Sequence, residues 1–313
     1  MIHGIINVYK EKGFTSHDVA AKLRGISGQT KIGHTGTLDP DAEGVLPVSL
    51  GRATKVCELL TDKDKTYRAV LLLGKTTDTQ DTTGEVLSEA STEHLTEAQV
   101  EEAIMSFVGE YEQIPPMYSA VKIEGKKLYE LAREGKTVER KSRKVCIHSI
   151  KITKMDLPKI EIEVRCSKGT YIRTLCHDIG EKLGVGGCMD SLLRTKVSIF
   201  ELENTMKLSE IQEYKDQGRF IECVMPVDAI FPEYRKIVVR GERQLALAYH
   251  GNIFYIKNPE VTLKDNVYVR VYDPNGVFIA IYRYNARKDR FHIVTMFLTE
   301  EEINALYKGN RSV

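Results

Sequence analysis

The stretch Gly33-His34-Thr35-Gly36-Thr37-Leu38-Asp39-Pro40-Asp41-Ala42-Glu43-Gly44 puts one imidazole and three carboxylates into a glycine-rich segment. From Gly28 to Gly44 the chain is too rich in turn formers for a helix or strand, so this region reads as a loop. A carboxylate on such a loop can reach a substrate. An ionised Asp can attack an anomeric carbon or take a neighbouring proton without metal or cofactor. The same residues also suit an architectural part, Asp39 organising a turn before Pro40 and Asp41 capping the next element, and spacing alone does not decide between the two.

Other chemistries lack their residues. There is no Walker pattern, no Gly-x-Gly-x-x-Gly after a strand, no Gly-x-Ser-x-Gly elbow and no His-Glu-x-x-His. The six cysteines, Cys57, Cys146, Cys166, Cys176, Cys188 and Cys223, show no Cys-x-x-Cys spacing, so neither a zinc site nor a redox motif is supported. No metal or cofactor is expected.

The 313 residues are enough for two compact domains, and 42% apolar content mixed with charge reads as globular. No signal-peptide pattern and no run of about 18 apolar residues occurs, which places the chain in the cytosol. A net charge of +1 conceals local asymmetry. Between Met117 and Val145 nine Lys/Arg face four Glu, and from Arg235 to Leu298 eleven Lys/Arg face five Asp/Glu. Such blocks attract phosphates, or are simply solvated faces.

The elements that must carry the loop mix strands and helices. Gly4 to Tyr9 reads as a strand, and Thr15 or Ser16 caps a helix to about Ile26. Val45 to Leu50, Thr66 to Gly74 and Gly84 to Leu87 are predicted strands, and Thr96 with Gln99 forms a capping box for a helix ending near Phe107. Val145 to Thr153 and Ile160 to Cys166 are predicted strands, the second alternating like a half-solvated antiparallel one. A helix from Tyr171 to Leu183 is stopped by Gly184. Past Pro226, the runs Ile237-Val239, Ile253-Ile256, Val267-Tyr272, Val277-Tyr282 and Phe291-Phe297 give a small-barrel signature, with a boundary near Phe231-Tyr234.

The segment Gly33 to Pro47 resembles the catalytic motif of the tRNA pseudouridine synthase B family. The match continues through Lys65-Thr66-Tyr67-Arg68, Thr77-Asp78-Thr79-Gln80-Asp81, Pro115-Pro116-Met117-Tyr118-Ser119-Ala120, Gly125 to Gly135 and Gly169-Thr170-Tyr171-Ile172-Arg173-Thr174. The resemblance implies an α/β (α+β) pseudouridine-synthase fold over residues 1–233, with a mixed, mainly antiparallel central sheet flanked by helices. A small PUA-like β-barrel comes after it over residues 234–313.

The resemblance also implies roles. Asp39 is the essential carboxylate, attacking C1′ of the ribose or deprotonating C2′. Arg173 pairs with it and lowers its pKa. Tyr67 stacks on the target base and helps to remove the C5 proton. His34 holds open the gap left by a flipped uridine. Lys10, Asp81, Tyr171 and Leu192 complete the substrate pocket. The basic insertion at about 120–145, with Lys126, Lys127, Arg140, Lys141, Arg143 and Lys144, closes on the RNA through sequence-blind phosphate contacts, with Tyr118 and Tyr129 interleaved.

Two segments depart from the family pattern. After Lys10 the family commonly has Pro-x-Gly, where this chain has Glu11-Lys12-Gly13, a loss expected to leave the catalytic loop untouched. Leu193-Arg194-Thr195-Lys196-Val197 matches only loosely. The activity implied is isomerisation of the uridine at position 55 in the T arm of tRNA, by a monomer without an obligate protein partner. The alternatives are the RNA-guided branch of the superfamily and a tRNA-binding folding factor with secondary catalysis; a retaining glycosidase is weakened because no second carboxylate is assigned.

Overall fold

The computed structural model describes residues 1–123, 125–256 and 263–310, with side chains described up to 306. The N-terminal strand β1 (Gly4–Lys10) is followed by helix α1 (Ser16–Ser27). Thr15 and Asp18 form the capping box of α1, Asp18 N–H donating to Thr15 Oγ1 at 3.1 Å and Thr15 N–H to the Asp18 carboxylate at 2.8 Å. Val19, Ala20 and Leu23 face inward from α1 onto Ile6, Val8, Leu46 and Val48, each burial contributing roughly 1.5–3 kcal/mol for the larger side chains.

The segment read as an uninterrupted loop contains a strand. β2 (Ile32–His34) pairs antiparallel with Val48–Leu50 of β3 (Glu43–Leu50). Local composition hides so short a strand, because its stability comes from the partner and not from its own residues. Helix α2 (Cys57–Thr61) leads to β4 (Lys65–Leu73), in which Tyr67, Ala69, Leu71 and Leu73 are buried at alternate positions.

A small hairpin, β5 (Lys75–Thr77) and β6 (Val86–Glu89), comes next, so the strand expected over Gly84 to Leu87 starts two residues later. The expected capping box of Thr96 and Gln99 opens α3 (Glu97–Met105). β7 (Gly109–Gln113), the short pair β8 (Lys122–Ile123) and β9 (Lys126–Lys127), and α4 (Leu128–Arg133) precede the long hairpin of β10 (Arg143–Asp156) and β11 (Lys159–Cys166). Helix α5 (Ile172–Lys182) then returns to β12 (Gly187–Val197), β13 (Phe200–Glu201) and α6 (Leu208–Asp216).

Nine of these strands form one sheet, in the order β1-β3-β12-β4-β11-β10-β7, with β2 on β3 and β13 on β12. Among the described residues β3 with β12 is its one parallel pairing. β12 was not foreseen from the sequence: Gly187, Cys188 and Asp190 mask a strand buried at the centre of a sheet, where neighbours on both sides supply the stability. Helix α5 lies directly on β12, because a Cβ at Gly180 would stand 2.1 Å from the backbone nitrogen of Gly187.

The C-terminal strands β14 (Arg235–Val238), β15 (Tyr268–Tyr272), β16 (Phe278–Asn285) and β17 (Arg290–Met296) form a separate four-stranded sheet. Two helices the barrel-like pattern did not foresee, α7 (Glu242–Tyr249) and α8 (Glu300–Asn310), accompany it. Ile253-Ile256, expected as a strand, contributes one bridge, Phe254 to Phe291. This arrangement is consistent with a PUA-like domain. The two sheets share a buried cluster in which Ile5, Val45, Val197 and Phe200 meet Ile281 and Phe297. Arg52 Nη1 and Lys55 Nζ donate to the carbonyls of Phe297 and Met296 at 2.5 and 2.9 Å, tying the same junction from the polar side.

Candidate active site

Asp39 sits at the turn between β2 and β3. Ala42 N–H donates to the Asp39 carbonyl at 3.1 Å, closing a four-residue turn with Pro40 at its second position, where a fixed φ is favoured. The backbone alone makes this turn, so the carboxylate is free for other partners. One residue earlier, Leu38 N–H donates to Ser16 Oγ at 2.8 Å, pinning the loop to the start of α1.

The carboxylate meets Arg173, from the first turn of α5. Nε stands 3.0 Å from Asp39 Oδ2 and Nη2 donates to Oδ1 at 3.2 Å, a two-point pairing. The rest of the guanidinium is used as well: Nη1 donates to the Thr79 carbonyl at 2.9 Å and lies 3.5 Å from Asp81 Oδ2, and Nη2 also donates to the Tyr118 carbonyl at 2.8 Å. The Arg173 side chain is 5% exposed, while Asp39 keeps 40% of its side chain open to solvent. Asp81 is fixed in turn, Oδ1 accepting from Thr79 Oγ1 at 2.7 Å and from Thr83 N–H at 3.0 Å.

Burial pushes the Asp39 carboxyl above the usual carboxylate range; Arg173 pulls it back, Asp81 pushes it up and Lys10 pulls it down. The lowering by Arg173 foreseen from the sequence is present, but desolvation outweighs it. The two-point pairing with Arg173 opposes that rise.

Tyr67 on β4 is 8% exposed and shares a cluster with Leu38 and Leu192, so the apolar wall beside Asp39 is built from the loop that carries Asp39, β4 and β12. Burial pushes the Tyr67 phenol up, so it is neutral at pH 7, with Arg194 opposing the rise. Tyr171, just before α5, is held through its backbone by Gln113, whose side chain accepts from Tyr171 N–H at 2.8 Å and donates to its carbonyl at 2.9 Å. His34 is half-buried; burial pushes its imidazole down against a hydrogen bond to the Gly36 backbone, leaving it neutral at pH 7, and its buried Nδ1 has no hydrogen-bond partner among the described residues.

Lys10, expected among the substrate-binding residues, is fully buried, and its ammonium donates to the carbonyls of Glu11, Pro40 and Ala42 at 3.3, 2.9 and 2.5 Å. It grips the Asp39 loop from behind, and burial pushes it down to about 8. Gly13 N–H donates to the Pro40 carbonyl at 3.0 Å and Lys12 lies 3.7 Å from Asp41, so the segment lacking the family proline packs against the loop.

Of the basic insertion, Lys141, Arg143 and Lys144 are exposed. Lys126 lies 3.7 Å from Glu134, and Lys127 donates to Tyr129 Oη at 3.0 Å. Arg140 is half-buried and its Nη1 donates to the Pro115 carbonyl at 3.1 Å. Sequence reasoning read Ser16 only as a possible helix cap and assigned no role to Gln113, Thr79 or Arg194. Arg194 is 1% exposed, is cross-strand to Tyr67 and donates through Nε to the Val45 carbonyl at 2.7 Å. A buried arginine within the loosely matched 193–197 segment was the available signal. Among the described residues no group of three or more His, Cys, Asp or Glu is arranged to hold a metal ion, and no helix is long and apolar enough to cross a membrane.

The carboxylate on its turn, the arginine on α5 and the apolar wall between them lie inside two adjoining family matches. Residues 24–172 match the TruB family pseudouridylate synthase N-terminal domain, and 173–231 the tRNA pseudouridylate synthase B C-terminal domain. The chain belongs to the TruB family. It is 55% identical to the tRNA pseudouridine synthase B of Lachnoclostridium phytofermentans, over 95% of this chain and all of the relative. It is 48% identical to that of Clostridium tetani, again over 95% of this chain and all of the relative. Among solved structures, a chain of a Cbf5-Nop10-Gar1 complex superposes with a TM-score of 0.72 at 26% identity, covering 96% of this chain and 86% of its own. The fold is thus the pseudouridine-synthase fold of the TruB family.

Proposed function

We propose that this TruB-family chain isomerises a uridine in the T arm of tRNA, at position 55, to pseudouridine. The observation that carries this reading is the Asp39 carboxylate held at two points by Arg173 beside the Tyr67 and Leu192 wall, in a chain 55% identical along its length to a tRNA pseudouridine synthase B.

The reaction is an isomerisation: the bond from C1′ to N1 breaks, one from C1′ to C5 forms, and the C5 proton is lost as N1 gains one. No group outside substrate and protein is consumed. Asp39 opens the reaction, by attack on C1′ or by removal of the C2′ proton, and its solvent-open side admits a ribose. A uridine inside a folded arm must first be flipped out. Neutral His34 at the loop suits the vacated stack, and Tyr67, with Tyr171 and Leu192, offers flat and apolar surface on which the freed uracil turns over. Arg173 favours the ionised carboxylate and aims it, Asp81 holds the far side of the guanidinium, and Lys10 serves the substrate through the loop it grips.

Residues 1–233 form the catalytic unit in this reading and 234–313 an RNA-binding one, which the separate sheets support. Lys126, Lys127, Lys141, Arg143 and Lys144 bind tRNA phosphates, and Arg140 braces the insertion from inside. Retention of that insertion favours a stand-alone enzyme over the RNA-guided branch, which delegates substrate choice to partners. The enzyme then acts in the cytoplasm without an obligate protein partner.

The test is incubation of purified protein with unmodified tRNA transcript, then pseudouridine mapping. Pseudouridine at one T-arm uridine for wild type, and none for a folded Asp39→Asn variant, is expected. Absence of product from well-folded wild type overturns the assignment.

A further inference from the structure

Cys146 belongs to an arrangement that the Asp39 pocket does not use. Its Sγ lies 3.6 Å from Nδ1 of His148, and Nε2 of the same ring lies 3.1 Å from Oδ1 of Asp64. The second oxygen of Asp64 is held by Arg165 Nη2 at 3.1 Å. With Nε2–H given to Asp64, Nδ1 is left with its lone pair towards the thiol. Nucleophile, base and orienting carboxylate thus stand in series, as in activated cysteines generally.

The backbone prepares this geometry. Ile147 pairs with Cys166 and Ser149 with Arg165, so His148 is the extra residue of a β-bulge, the device that re-aims a side chain out of a regular ladder. Cys146 itself is fixed: its N–H donates to Ser167 Oγ at 2.9 Å and its carbonyl accepts from Ser167 N–H at 2.9 Å. The other cysteines differ. Cys166, Cys176, Cys188 and Cys223 are buried. Burial pushes the Cys166 thiol up to about 12 and the Cys188 thiol up to about 11, and raises Cys57, Cys176 and Cys223 as well. Cys146 is only half-buried, and among the described residues it is the one cysteine hydrogen-bonded to an imidazole.

We propose that Cys146 is a modification site that takes up a small thiol from a low-molecular-weight disulfide. His148 Nδ1 accepts the Cys146 proton, and the thiolate attacks one sulfur of the disulfide. The reagent's S–S bond breaks, a bond from Sγ to the attacked sulfur forms, and the departing thiolate recovers the proton from His148. Cys146 is oxidised and the reagent reduced, giving one mixed disulfide and one free thiol. Lys144 projects from the same face of β10 two residues away, so an acidic adduct there stands against the cations assigned to RNA; this consequence rests on the proposed tRNA function.

The experiment treats the full-length protein with glutathione disulfide at near-neutral pH and tracks intact mass and peptide maps with time. One adduct at Cys146 is expected, slowed about tenfold in His148→Gln and to a smaller degree in Asp64→Asn, the loss of an assisting base. Thermal melts identify variants that have lost their fold, and iodoacetamide labelling of urea-unfolded protein shows the intrinsic thiol rates to be equal. First modification at Cys57, or a folded His148→Gln that reacts at the wild-type rate, overturns the site. In the second arm the adduct weakens tRNA binding about fivefold, reversibly with reductant, as addition of negative charge beside phosphate contacts requires. Unchanged binding, with the adduct at Cys146, overturns only the link to RNA.

Discussion

Arg173 grips the Asp39 carboxylate with Nε and Nη2, at 3.0 and 3.2 Å, across 134 residues of sequence. The arginine has no freedom to do otherwise, because Thr79 and Tyr118 carbonyls and the Asp81 carboxylate take its remaining donors. Arg173→Gln removes the nearest cation from a carboxyl that burial already raises, so the acid limb of the single-turnover rate shifts to higher pH. At neutral pH the rate falls by about 10² or more, the scale set by breaking a buried ion pair. A pH-rate profile of the variant with tRNA transcript reads both effects, and an unmoved acid limb means that Asp39 ionisation does not govern it.

Lys10 offers three donors to three loop carbonyls from a fully buried position. Lys10→Met leaves those carbonyls without their donor and lowers stability by about 2–3 kcal/mol, with activity lost through a loosened Asp39 loop. The pH dependence has a definite sign. Folding pushes this ammonium from 10.5 down to about 8, so between those values the unfolded chain holds more protons and wild-type stability rises with pH. Lys65, also near 8, retains part of that rise in the variant. Urea melts of both proteins between neutral pH and pH 10 decide it.

Lys141, Arg143 and Lys144 are exposed cations at the end of the insertion, whereas Arg140 donates to the Pro115 carbonyl. Replacing the three by Gln is expected to flatten the plot of log Kd against log salt by about 2 in slope, since each lost phosphate contact removes roughly 0.7–0.9. The saturated chemical rate stays put. Arg140→Ala instead lowers the melting temperature. A salt slope unchanged in the triple variant rules out this face as the RNA contact.

Gly44 closes the catalytic loop at a φ of +103°, and a Cβ there would stand 2.3 Å from the Arg194 carbonyl oxygen. Gly44→Ala therefore combines backbone strain with a clash against β12, and destabilises by about 2 kcal/mol or more. Differential scanning calorimetry is the check; a melting temperature equal to wild type refutes the close approach.

The sequence by itself determined the local pieces. Capping residues at Thr15 and Thr96, period-2 alternation at Tyr67 to Leu73 and Ile160 to Cys166, and the turn formers around Asp39 act over a few residues, so each element could be read where it stands. The ordered motifs named the family, because side chains that must meet a reacting sugar are restricted in type. Whatever depended on partners far along the chain was decided by tertiary structure. β2 and β12 exist because neighbouring strands pair with them, and their own glycines and polar residues gave no such signal. Lys10 reads as a substrate-binding residue until the folding of β1 against the loop buries it and turns its charge onto carbonyls. The balance at Asp39 was equally out of reach: a paired arginine can be inferred from a motif, but the desolvation that outweighs it depends on how many atoms the whole fold packs around one carboxyl group.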